Sequence, residues 1–202
     1  MRAEAVIAFA TEVGLPYFAA QMTIFLGATL AAQAQQEEGL TKMRQGLAAQ
    51  RATGGQGLVQ LWLALQIETL IETERFEEGW TALEEALTIR PKYGERYWEA
   101  DLYRLKGELL LAQERCSSAL LDQRSNIAVV VEAEECFQQA IETARELSAK
   151  SFELRAATSL ARLWQQQGKK TEAHKLLSDV YNWFTEGFDT KDLQEAKALL
   201  DE

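Results

Sequence analysis

The chain repeats itself with a period of 40 residues, and this restricts the fold more than any other feature of its sequence. Glu37-Glu38-Gly39-Leu40 returns as Glu77-Glu78-Gly79-Trp80, and similar helix beginnings stand at Val131-Glu132-Ala133-Glu134 and Thr171-Glu172-Ala173-His174. Four residues after each small residue comes a large apolar one (Met43, Leu83, Phe137, Leu177). Three further on comes Gly46, Ala86, Ala140 or Val180. Spacings of four and then three trace one face of a helix.

An upstream helix in each unit carries its own signature, in which a small or compact residue precedes a large one by three: Gly27 and Leu30, Ile67 and Leu70, Gly107 and Leu110, Ala161 and Trp164. The step from this helix to the next is 12 residues in three units and 26 between Gly107 and Ala133, so the third unit carries an insertion of 14. A small residue lets the backbone of an antiparallel neighbour approach, and the large one fills the groove beside it. Each helix pair buries one stripe, and stacking the next pair buries a second. With only two prolines and a wealth of good helix formers, the fold class is all-α: a superhelix of antiparallel helix hairpins.

This small-and-large pattern resembles the tetratricopeptide repeat, and Pro91, just past the second helix of its unit, matches that family's terminating proline. The period of 40 is longer than the family's usual unit. The stretches Glu38-Gly39-Leu40 with Met43-Arg44-Gln45-Gly46-Leu47, Leu102 to Leu109, and Leu154 to Trp164 are similar to the C-terminal repeat region of bacterial multidomain signalling proteins. In those proteins the repeats follow an ATPase module, often with a nucleotide-cyclase domain. The resemblance implies a non-catalytic regulatory scaffold in the cytoplasm that binds a protein or peptide segment in its concave groove. Its usual inward positions fall on Gln21, Glu68, Glu72, Asp101, Arg104, Glu108, Arg155, Thr158 and Arg162, a groove running from neutral through acidic to basic. Where some members of the family clamp a peptide carboxylate, this chain has Ile24, Ala28 and Leu65, which argues against that role.

We expect a single repeat domain over 1–202, with hairpins at 16–52, 58–90, 95–147 and 150–186 and a capping helix at 190–200. Residues 3–12 read as the second helix of a half-repeat. Its Val6, Ile7 and Phe9 would leave an apolar edge open to homodimer formation. Residues 113–126 break helical periodicity and are expected to form an inserted, mobile loop. Tyr97 and Trp98 fall at the mouth of the groove as apolar anchors beside Arg104, Arg155 and Arg162, a set suited to an acidic-aromatic guest. Trp183, Phe184 and Phe188 should seal the last hairpin under the terminal helix.

A net charge of -10 opposes binding to nucleic acid or to an anionic membrane, since phosphate contacts need an excess of Lys and Arg. Cys116, Cys136 and the single His174 do not assemble a metal site, and no cofactor motif is present. Gly54, Gly55 and Gly57 have neither the preceding strand nor the following Lys-Ser or Lys-Thr of a phosphate loop, so they read as a helix connector. The uncharged run between Glu12 and Glu37, with Ala32-Gln33-Ala34, has some look of an export signal. Gly14, Pro16, Gln21 and Gly27 interrupt it, and its flank is not basic. No catalytic constellation emerges, so the chain is not expected to be an enzyme. The rival reading is a regulatory fragment of a nucleotide-binding or cyclase-type signalling enzyme that contacts its catalytic domain or nucleotide.

Overall fold

The computed structural model describes residues 2–55, 57–89, 96–117 and 123–202, apart from the side chains of 2 and 123–126. The protein is all-helical, with ten α-helices and no strand among the described residues. The chain divides into two compact units, Met1–Ile89 and Arg90–Glu202. Gln56, residues 90–95 with Pro91, and residues 118–122 lie outside the described residues.

Unit 1 holds α1 (Arg2–Glu12), α2 (Pro16–Ala32), α3 (Gln36–Ala52), α4 (Val59–Glu72) and α5 (Phe76–Thr88). Pro16 starts α2, where its missing N–H costs nothing. Glu37 and Glu38 of α3 and Glu77 and Glu78 of α5 occupy first turns, where a carboxylate favours the helix dipole. α2 packs on α1, α3 and α4, and α4 packs on α5. Unit 2 holds α6 (Glu99–Ser117), α7 (Gln123–Glu146), α8 (Lys150–Gln166), α9 (Lys170–Tyr181) and α10 (Lys191–Leu200). Here α8 is central and packs on α6, α7, α9 and α10.

The residues of the 40-residue pattern mark the places where the helices cross. Met43, Leu83, Phe137 and Leu177 are all within 1% of full burial, as are Ile67, Ala133, Ala140, Ala161 and Ala173. At the α2–α3 crossing a Cβ on Gly27 would stand 2.6 Å from the Gly39 carbonyl oxygen, and one on Gly39 equally close to that of Gly27. At α6–α7 a Cβ on Gly107 would lie 2.5 Å from the ring of Phe137. Glycine is the residue that lets these backbones and rings meet. Each large side chain so buried stabilises its unit by up to about 1.5–3 kcal/mol.

Five of the helix reversals share one turn. Three residues separate α1 from α2, α2 from α3, α4 from α5, α7 from α8 and α8 from α9. The middle one has positive φ: Gly14, Ala34, Glu74, Ser148 and Gly168. The next residue's N–H then reaches back five positions, as from Leu15 to the Ala10 oxygen at 2.8 Å and from Lys169 to the Trp164 oxygen at 2.9 Å. This is a Schellman closure, and only two of the five use the glycine that the left-handed conformation favours.

The third pair departs from expectation. Residues 113–117 belong to α6 and 123–126 to α7, so much of the stretch expected as a loop lengthens two helices, with α7 beginning at Gln123 rather than near Val131. Gln, Glu and Arg within 113–117 are good helix formers, and the polar character of the insertion had hidden this.

Candidate functional site

The residues expected to line one groove fall in both units. Gln21, Glu68 and Glu72 belong to unit 1, and the remainder to unit 2.

In unit 2 the polar residues of α6 and α8 are joined to one another rather than held open. Asp101, 3% exposed, accepts from Arg104 Nε at 2.7 Å and from Arg155 Nη1 of α8 at 3.1 Å. Arg155 Nε in turn lies 3.9 Å from Asp192 of α10. Burial alone pushes the Asp101 carboxyl up, but the charges and hydrogen bonds of Arg104 and Arg155 more than offset this and hold it below the usual carboxylate value. Ser159 Oγ donates to Glu108 Oε1 at 2.6 Å, and Arg162 Nη2 stands 3.7 Å from Glu195 of α10. Thr158 is buried, with its hydroxyl donating to the Leu154 carbonyl at 2.8 Å. Of the three arginines expected as anchors for an acidic guest, Arg155 joins α6 to α8 and approaches α10, Arg162 approaches α10, and Arg104 pairs with Asp101 on its own helix. The sequence could not show that α10 brings Asp192 and Glu195 onto that face. Beside this network a cavity of about 180 Å³ opens between α6, α7 and α8, bordered by Glu108, Arg115, Val130, Arg162 and Gln166.

The starts of α6 and α8 carry an aromatic cluster. Trp98 and Phe152 meet edge-on at 5.4 Å, and Tyr97 contacts both at 5.3 and 5.2 Å. Trp98 is half-buried and Phe152 buried, leaving Tyr97 as the exposed member. Next to it Glu153, 3% exposed, accepts from Arg145 at 2.7 Å and Lys150 at 2.6 Å. Burial raises its pKa, and these two hydrogen bonds outweigh burial to leave it lowered. The expected aromatic seal near the C-terminus is divided. Phe184 packs against the core, whereas Trp183 and Phe188 are exposed and Lys150 Nζ sits 5.8 Å over the Trp183 ring.

In unit 1 Gln21 is buried, Glu68 half-buried and Glu72 exposed. The prominent feature of this unit is one that reading by inward positions missed. Phe9, Val13, Leu15, Phe18, Phe25 and Leu58 are all exposed. Phe25 meets the buried Trp62 of α4 edge-on at 4.8 Å. The signal was present in α2, whose 17 residues include no charge, so that no stripe of it is suited to water. Val6 is exposed and Ile7 half-buried.

Other candidates have ordinary surroundings. His174 is exposed on α9. Burial pushes the Cys136 thiol up, away from the reactive thiolate, even with Lys106 nearby. Neither Cys116 nor Cys136 takes part in a disulfide among the described residues. No group of three or more His, Cys, Asp or Glu among the described residues is arranged to hold a metal ion, and no described helix is long and apolar enough to cross a membrane. No protein-family model matches the chain, and no curated protein matches it.

Proposed function

We propose that the chain is a non-catalytic interaction module of tetratricopeptide type that receives a segment of another protein. One observation carries this reading. The residues that recur at 40-residue spacing are the ones buried where paired helices cross, while first helices keep large apolar side chains, Phe18 and Phe25 among them, turned to the surface. A helix-hairpin array stabilises itself through neighbour interfaces and leaves its first-helix face available for binding. Exposed aromatic residues beside ordered helices suit recognition better than they suit water. Two cysteines that do not pair in a disulfide accord with work in a reducing compartment, and we place the module in the cytoplasm as part of a larger signalling protein.

Selection of a displayed peptide library on the immobilised chain tests this. Enriched segments should bind saturably when resynthesised, and calorimetric titration with ATP should give no binding heat. A library that yields no saturable binder, or an ATP isotherm, would count against the scaffold and in favour of a nucleotide-contacting regulatory fragment.

A further inference from the structure

Building on the reading of the chain as a receiver of protein segments, we infer that unit 1 carries a docking face on α1, α2 and α4, and that its occupant is an amphipathic helix whose apolar stripe is edged by Lys and Arg. Phe9 is 62% and Phe18 55% exposed, values far from those of residues that merely pack a hairpin. Phe18 and Phe25 lie seven residues apart and so share a stripe of α2. The contact of Phe25 with Trp62 sets that stripe beside α4, where the half-buried Leu61 and Leu65 lie four residues apart and Leu58 is exposed just before the helix begins. On α1, which also packs on α2, Phe9 is exposed, as is Val13 just past the helix, whose N–H donates to the Phe9 carbonyl.

Charge selects the occupant. No Lys or Arg occurs in 3–41 or in 52–74, stretches that include all of α2 and α4. The charges these three helices carry beyond Arg2 are Glu4, Glu12, Glu68 and Glu72. Arg44, Arg51 and Arg75 are drawn off into ion pairs with Glu78, Glu85 and Glu37 along α3 and α5. The helices that carry the face thus bear acidic charge beyond Arg2, and the complement of such a face is an apolar stripe with a basic edge. A second copy of the chain would set acid against acid, and an anionic membrane would be repelled in the same way. The backbone of the guest follows from the helices. With no strand among the described residues, an extended peptide finds no sheet edge to satisfy its N–H and C=O groups, whereas a helix arrives with them already paired.

The test measures fluorescence anisotropy of the full chain with labelled synthetic peptides of about five helical turns. One carries a Leu stripe edged with Lys, the second has Glu in place of Lys, and the third shuffles the Lys peptide so that the stripe is broken. The Lys-edged peptide should bind about tenfold or more tighter than either control and weaken as salt rises. Phe18→Ser and Phe9→Ser, both at exposed positions, and Glu72→Lys should each reduce that binding about tenfold with unchanged helicity. Equal binding of the Glu-edged or shuffled peptide, undiminished binding by the Phe18→Ser and Phe9→Ser variants, or self-association abolished by those two substitutions would each overturn the inference. Segments from the display selection that bind these variants normally would remove this face while leaving the scaffold function standing. Failure of the library and the Lys peptide alike would remove both.

Discussion

Replacing Gly27 by Ala sets two effects of opposite sign against each other. Gly27 lies within α2, and there the substitution gains about 1 kcal/mol of helix propensity. Against this, the new methyl would lie 2.6 Å from the Gly39 oxygen and 2.7 Å from the Met43 nitrogen, both backbone atoms that cannot rotate away. Overpacking costs about 1–3 kcal/mol, and a backbone obstacle places the cost near the top of that range, so the net loss is about 1–2 kcal/mol. If unit 1 melts on its own, each kcal/mol lowers its midpoint by about 4–8 °C. Circular dichroism at 222 nm, followed through heating and through urea, reads this directly. Gly107→Ala supplies the contrast, because the obstructing atom there is an edge of the Phe137 ring, and Phe137→Leu in the same chain should recover part of the loss. A Gly27→Ala protein melting at or above the parent would mean that helix propensity governs this position and that the α2–α3 crossing is not as close as described.

Glu74→Gly should stabilise by about 0.5–1 kcal/mol, since a left-handed non-glycine residue costs about 1–2 kcal/mol and the freer unfolded chain returns only part of that; an unchanged urea midpoint would refute it. Arg155→Glu faces the buried Asp101 and should approach the about 3–5 kcal/mol of a broken buried pair, whereas Arg162→Glu, at an exposed 3.7 Å contact, should stay within about 1 kcal/mol. Equal melting temperatures for the two would show that Arg155 does not tie α6 to α8. The lowered pKa values of Asp101 and Glu153 give stability that is present above the unfolded values of about 3.9 and 4.3 and is lost as pH falls through the folded ones. Acid titration of the urea midpoint should therefore fall below about pH 5, and fall less steeply in a Glu153→Gln variant; identical slopes would contradict the pairing.

Helix pairing was legible in the sequence because packing at crossings is a contact between a few side chains of fixed size. Gly27, Gly107, Ala140 and Ala161 each announce a close approach wherever they occur. The insertion was misjudged for the opposite reason: 113–117 has helix-forming residues but no apolar period to reveal them. Pairing among charged residues was not legible at all. Nothing about Arg155 in isolation says that Asp101 lies 54 residues away in sequence but 3.1 Å away in space, or that α10 adds Asp192 on its other side. The apolar face of unit 1 could have been found from the uncharged length of α2 alone, but inward positions borrowed from a family pattern pointed instead to Gln21, which is buried.

The shared turn between helices has a consequence for how such a chain can change over time. Its closing bond runs from one main-chain amide to another main-chain carbonyl, and the residue at its apex is glycine, alanine, glutamate or serine without loss of the reversal. Insertion, duplication or drift at these corners has only to preserve the count of three residues, not their identity. Two descendants of one ancestral hairpin could thus come to share almost no letters and still turn the corner in the same way.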